Sequence, residues 1–153
     1  MPADIRLSAL HEVIQLAFDW TNSHLHHFEA GRLRYGTDFD DLEFDGDEKE
    51  TRLSDIASEG HTIRYLYDYG DGWEHELKVE QAAPGAVDVA ICTGGRRAAP
   101  PDDCGGIGGY ADLCAKMADG DTETLQWLGG PFDPAAFDKN EITERLAAIP
   151  VTD

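Results

Sequence analysis

Apolar residues between positions 7 and 20 recur three and four apart. Leu7, Leu10, Ile14, Ala17 and Phe18 form one stripe, the mark of an amphipathic helix with one buried face. Thr21-Asn22-Ser23 ends it. From His61 to about Gln81 the period drops to two. His61, Ile63, Tyr65, Tyr67 and Tyr69 fall on one side, and Trp73, His75, Leu77 and Val79 alternate with Glu74, Glu76, Lys78 and Glu80. Strand side chains point alternately to opposite faces, so this stretch predicts a β-hairpin turning at Gly70-Asp71-Gly72.

A register follows, because cross-strand partners share a face. Tyr69 opposite Trp73 leaves a three-residue loop in which Gly72 takes a positive φ. Tyr67 then lies beside His75, Tyr65 beside Leu77 and Ile63 beside Val79, with the rings inward. On the other face Asp68 is set against Glu74. Like charges directly opposed are unfavourable, which calls for solvation, a cation or an arginine, with Arg96 and Arg97 as the candidates.

His24 to Tyr35 predicts a second hairpin, turning around Glu29-Ala30-Gly31, with His24, His26 and Phe28 on one face. The acidic run from Thr37 to Glu50 reads as a solvated loop; its spacing fails the calcium-loop pattern. Leu53 to Ala57 reads as a helical turn capped by Ser54, Val87 to Cys92 as a third strand, and Gly94 to Gly109 as an irregular loop. Tyr110, Leu113, Cys114 and Met117 mark a helix. Asp121 caps a short one carrying Leu125, Trp127 and Leu128. Asp133-Pro134 starts a turn, and Asp138 with Glu141 opens a last helix containing Ile142, Leu146 and Ile149. Strand pairs mixed with helices, without regular βαβ alternation, predict a single α+β domain over residues 1–153. Its sheet is mixed or mostly antiparallel, with hairpins packed against helices.

Charge narrows the partners. The chain has 153 residues and a net charge of −19, with 12 Lys and Arg against 31 Asp and Glu. Phosphate backbones are met by basic side chains, so the balance argues against direct nucleic-acid binding. It also argues against anionic membranes, and it suits basic partners. No apolar run approaches the ~20 residues of a membrane span, and the first residues lack a signal-peptide core. Three cysteines, an odd set, fit a reducing cytoplasm.

Four blocks carry a resemblance: Ser23-His24-Leu25-His26-His27-Phe28; Tyr67-Asp68-Tyr69-Gly70-Asp71-Gly72-Trp73-Glu74-His75; Pro100-Pro101-Asp102-Asp103-Cys104-Gly105-Gly106 with Gly109-Tyr110; and Trp127-Leu128-Gly129-Gly130-Pro131-Phe132-Asp133-Pro134. In this order they resemble the plasmid pRiA4b ORF-3-like family. The resemblance implies a small α+β protein of plasmids, transposon neighbourhoods and chromosomes, with no established activity. Family members usually begin with an extra strand, so the resemblance implies that this chain lacks it and exposes a sheet edge open to oligomer pairing. The family loop often carries Cys before Pro-Pro, where this chain has Ala99, which removes any thiolate role there.

The expected function is that of an accessory or binding protein of unknown ligand. Its polar cleft lies at the 67–75 hairpin and the 100–106 loop, with Asp68, Asp71, Trp73, Glu74, His75, Arg97, Asp103 and Cys104 as candidates. An aromatic wall of Tyr65, Tyr67, Tyr69 and Trp73 would serve either as cleft or as core. No cofactor is expected. The alternative is a hydrolytic enzyme, either zinc-dependent through His24, His26 and His75 or using Cys104 as nucleophile with His75 or His26 as base. Cys92, Asp102 and Asp103 are further ligand types, but no Cys-x-x-Cys pair supports a closed zinc site.

Overall fold

In the computed structural model, which describes residues 1, 4–81 and 89–149, the stripe from Leu7 is helix α1 (Leu7–Phe18). The elements that follow are β1 (His26–Ala30), β2 (Leu33–Gly36), β3 (Gly46–Asp47), α2 (Leu53–Ile56), β4 (Thr62–Tyr67), β5 (Trp73–Lys78), α3 (Gly106–Ala118), α4 (Thr122–Trp127) and α5 (Lys139–Leu146). The strands form one open mixed sheet in the order β3-β2-β1-β4-β5. Only β2 and β3 run parallel. This is the α+β domain the alternating and helical stripes predict. Leu7, Leu10 and Ile14 of α1 pack with Phe28, Ile63, Tyr65, Tyr67 and Trp73 of the sheet, and Leu146 of α5 joins them. Asp121 and Asp138 cap α4 and α5 through backbone N–H groups, as expected. The Glu141 side chain turns away to pair with Arg145.

The main hairpin departs from the expected register by two residues. Tyr67 pairs with Trp73, Tyr65 with His75 and Ile63 with Leu77. The cause is Asp68, which leaves the strand in the left-handed region at φ 54°. Its Oδ1 accepts from the backbone N–H groups of Gly70 and Asp71 at 2.9 and 3.2 Å, and Gly72 N–H closes the loop onto Asp68 O at 2.6 Å. Asp and Asn enter this backbone region more readily than other non-glycine residues because their short side chains satisfy nearby N–H groups. The loop therefore spans residues 68–72. An even offset preserves the faces of Ile63, Tyr65, Tyr67, Trp73, His75 and Leu77.

Tyr69, beyond the break, does not neighbour Trp73. It is exposed, and its hydroxyl meets His27 Nδ1 on the outer face at 2.7 Å. The aromatic wall is thus core at Tyr65, Tyr67 and Trp73, and surface at Tyr69. Asp68 does not oppose Glu74, since Leu66 does. The arginine of that face is Arg64, which bridges Glu29 at 2.9 Å and Glu74 at 2.5 Å. Arg96 and Arg97 take no part in it.

Other expectations are corrected by tertiary contacts. The acidic segment Thr37–Glu50 is not simply a solvated loop, because it supplies β3 and buries Glu48. Glu48 O and Thr51 O accept from the first N–H groups of α1, so the chain itself caps a helix that has no side-chain cap. Ser54 lies inside α2; the cap is Arg52, whose N–H donates to Asp55 Oδ2 at 2.8 Å. Of the third strand expected at 87–92, residues 87 and 88 lie outside the described residues, and residues 89–92 are not strand. Helix α3 begins at Gly106, inside the expected irregular loop.

A closed ring of hydrogen bonds joins α1 to the sheet. Asn22 N–H donates to Gln15 Oε1 at 3.0 Å, and Gln15 Nε2 donates to the Tyr65 hydroxyl at 3.0 Å. The hydroxyl lies 2.7 Å from His11 Nδ1, and His11 Nε2 lies 2.7 Å from Asn22 Oδ1. Asn22 Oδ1 can only accept, so His11 carries its proton on Nε2 and accepts from Tyr65 on Nδ1. The ring needs neutral His11. Burial and the neighbouring His26 agree, lowering the His11 pKa to about 4. His26 stacks on His11, with centroids 3.4 Å apart, and reaches Glu48 Oε2 at 2.8 Å. Burial opposes the Glu48 charge, but the bond and charge of His26 outweigh it and hold this carboxyl below its usual range.

Two outcomes follow. Lowering the pH from 6.5 to 4 removes roughly 3 kcal/mol of stability through His11, because the unfolded chain takes up a proton there before the folded chain does. Glu48 acts in the same direction as pH falls towards its lowered pKa. Urea unfolding across this range should show the slope, and His11→Gln should flatten it whatever its effect at pH 7. Trp73, 8% exposed among the core rings, is a packing residue, so Trp73→Ala should cost about 3–5 kcal/mol in the same assay.

Candidate functional site

Three segments that are distant in sequence meet at one end of the sheet: residues 20–24, the hairpin tip at 68–72, and the loop 100–106. Trp20, stacked on Tyr67 with centroids 4.8 Å apart, donates its indole N–H to Pro100 O at 2.8 Å. Thr21 donates both its N–H and its hydroxyl to Asp102 Oδ2, at 3.0 and 2.6 Å. His24 Nε2 lies 2.8 Å from Asp103 Oδ1 and 3.6 Å from Asp68 Oδ2. On the far side, Gly105 N–H donates to Asp71 Oδ2 at 2.9 Å.

Glycine is required at the meeting point. Gly106 has φ 66°, and a Cβ there would stand 2.2 Å from Asp71 O. A Cβ on Gly109 would stand 1.9 Å from Cys104 O. Both obstacles are backbone, so no side chain can yield to make room. Gly106 therefore serves close approach of the loop to the hairpin tip, while Gly105 supplies a positive φ of 89° and the N–H held by Asp71.

The expected cleft residues divide. Asp68, Asp71 and Asp103 face the junction. Cys104 is half-buried beside it, and burial together with Asp71 pushes its thiol up to about 11. That is opposite to the lowered pKa a nucleophile at a helix N-terminus would need. Trp73 and His75 point into the core instead. His75 packs edge-on against Phe18 and Trp20, and burial lowers its pKa. Glu74 is on the outer face with Arg64, and Arg97 is exposed at φ 67°. The expected histidine trio does not assemble. His26 sits against His11 and Glu48, His75 sits in the core, and only His24 reaches the junction. Among the described residues one group of three or more metal-ligand side chains converges: His24, Asp68 and Asp103, with ligand atoms within 4.8 Å of one another. All three are readable as candidates in the sequence, but their grouping is not.

Beyond Cys104 a groove of about 430 Å³ runs between α3 and α4. Asp103, Asp112, Asp121 and Glu123 line it with one basic residue, Lys116, and Trp127, which is 55% exposed. Sequence reasoning missed Asp112, Glu123 and Trp127 as site residues, because on short amphipathic helices they look like ordinary solvated positions. The Cys104 assignment is checkable: iodoacetamide at pH 7.5 should label Cys104 more slowly than a free thiol, by mass spectrometry of the native protein.

Comparison with known proteins agrees with this frame. A family model described as plasmid pRiA4b ORF-3-like protein matches residues 1–141. The uncharacterized protein y4hQ of Sinorhizobium fredii is 36% identical over 156 residues, covering 95% of this chain and 80% of that protein. The crystal structure of the protein of unknown function MM3350 from Methanosarcina mazei Go1 is similar with a TM-score of 0.82 and 34% identity, covering 92% of this chain and 84% of that one. No helix among the described residues is long and apolar enough to cross a membrane. With the family model spanning nearly all of its length, the chain belongs to the plasmid pRiA4b ORF-3-like family.

Proposed function

We propose that this protein is a non-enzymatic binding protein whose ligand is a cationic segment of a partner protein, seated in the groove between α3 and α4. One observation carries the reading: Trp127 stands 55% exposed in a groove bordered by four carboxylates and one lysine. An exposed indole face attracts an ammonium or guanidinium group. Carboxylates add charge-assisted hydrogen bonds, which arginine makes in pairs. Asp112 and Glu123 make no ion pair among the described residues, so both are open to a ligand.

The net charge of −19 adds long-range attraction for a basic partner and repels nucleic acid. The high pKa of the Cys104 thiol weighs against thiol hydrolysis. The family's description by likeness to an open reading frame of plasmid pRiA4b supports an accessory role in a mobile element, and the three free cysteines suit a reducing cytoplasm.

Trp20 and Trp73 are buried, so a change in intrinsic fluorescence on adding a peptide reports on Trp127. Titration with a hexa-arginine peptide at low salt should change that fluorescence saturably. A hexa-glutamate peptide should not. The double variant Asp112→Asn/Glu123→Gln should weaken binding at least ~10-fold, since each lost charge-assisted contact is worth about 1 kcal/mol or more. Binding that is unaltered in the double variant would show attraction to overall charge alone, and the groove reading would fall.

A further inference from the structure

We propose that His24, Asp68 and Asp103 bind one divalent transition-metal ion at the junction of the hairpin tip and the 100–106 loop. Hydrogen-bond donors are short at this junction. Asp68 is only 8% exposed. Its Oδ1 is held by two backbone N–H groups, which fix the carboxylate and aim Oδ2 towards His24. That second oxygen has no hydrogen-bond donor among the described residues; His24 Nε2 stands off at 3.6 Å. His24 Nε2 offers a single N–H, and at 2.8 Å it is directed at Asp103 Oδ1. The ion pairs of Asp68 and Asp103 among the described residues are with His24 alone. One proton therefore serves two carboxylates, and one of them is buried. A divalent ion in place of that proton would serve all three groups at once.

The spacing suits an ion. Two ligand atoms bound about 2.1 Å from one metal, at the angles of tetrahedral or octahedral geometry, lie about 3.0–3.4 Å apart. The distances from His24 Nε2, 2.8 and 3.6 Å, bracket that range, and all three ligand atoms fall within 4.8 Å of one another. The supports are in place as well. Asp68 is locked by its own turn, and the 100–103 loop is pinned by Trp20 and Thr21.

The donor set names the class of metal. One imidazole nitrogen and two carboxylate oxygens suit zinc or manganese, whereas calcium and magnesium favour oxygen-only shells. Three protein ligands leave room for water or a ligand donor on the ion, as open zinc sites do. The assignment stands independently of what fills the α3–α4 groove, although Asp103 borders both.

The test uses the full chain stripped with a chelator and titrated calorimetrically with zinc chloride and with manganese chloride. One ion per chain should bind, with a Kd of about 10 μM or tighter. Asp103→Asn and His24→Gln should each weaken binding at least ~10-fold with urea unfolding unchanged in cooperativity. Asp103 is exposed, so its variant is the one least prone to misfolding. His61→Gln, on a distant exposed turn, should bind as the parent does. Three outcomes would overturn the proposal: no stoichiometric binding, binding untouched by both junction variants, or calcium and magnesium binding as tightly as zinc and manganese. The double variant Asp112→Asn/Glu123→Gln should leave metal binding intact while weakening the peptide's fluorescence titration, so failure of the groove and failure of the metal site are read separately.

Discussion

The ring of hydrogen bonds through Asn22, Gln15, Tyr65 and His11 is the interaction on which the rest of the molecule leans. It joins helix α1 to the interior strand β4 through Tyr65, itself a member of the aromatic core. Each member has one role, as donor, acceptor or both, and the direction of the ring leaves none of these atoms without a partner. Buried polar groups are costly when unpaired and specify a single arrangement when paired. The ring therefore does more than add stability. It sets the height and rotation of α1 over the sheet, and it holds Asn22 at φ 55°, which turns the chain from the end of the helix towards β1.

That turn is how the core reaches the surface site. Trp20, Thr21 and His24 flank Asn22, and each meets the 100–103 loop by a different contact: an indole bond to Pro100, two bonds to Asp102, and an imidazole contact with Asp103. The hairpin tip holds the same loop from the other side through Asp71, Gly105 and Gly106. The loop has no strand or helix of its own before Gly106, yet it is fixed at both ends. Candidate ligands on it inherit the precision of the sheet rather than the freedom of a loop.

The electrostatics separate into three zones. The outer face of the sheet neutralises itself, with Arg64 between Glu29 and Glu74. Among the described residues two carboxylates are buried: Glu48, matched by His26 and Thr37, and Asp68, which belongs to the junction. The junction and the α3–α4 groove keep their carboxylates largely unmatched by lysine or arginine. Carboxylates left without a lysine or arginine partner concentrate the negative field at the junction and the groove, where cations would be received.

Much of this was legible in the chain itself. Period-two and period-3.6 patterns placed α1, both hairpins and the C-terminal helices, although the first hairpin turns at Gly31-Arg32 rather than around Glu29-Ala30-Gly31, and Asp121 and Asp138 announced their helices, because these signals come from neighbours in sequence. The inward rings of β4 and β5 also followed, since a two-residue slip does not change a strand's faces. What the sequence could not carry was set by contacts between remote segments. Asp68 left its strand because a local turn suited its carboxylate better than pairing did, and Tyr69 crossed to the outer face as a result. Glu48 looked like one acid among many until β3 and α1 closed around it. His24, His26 and His75 are near-equivalent as letters, yet the fold sent one to the junction, one to a buried stack and one to the core. Local periodicity determines which elements form and which side they bury; only the packing of elements far apart in the chain decides which polar side chains meet, because no short-range pattern encodes that distance.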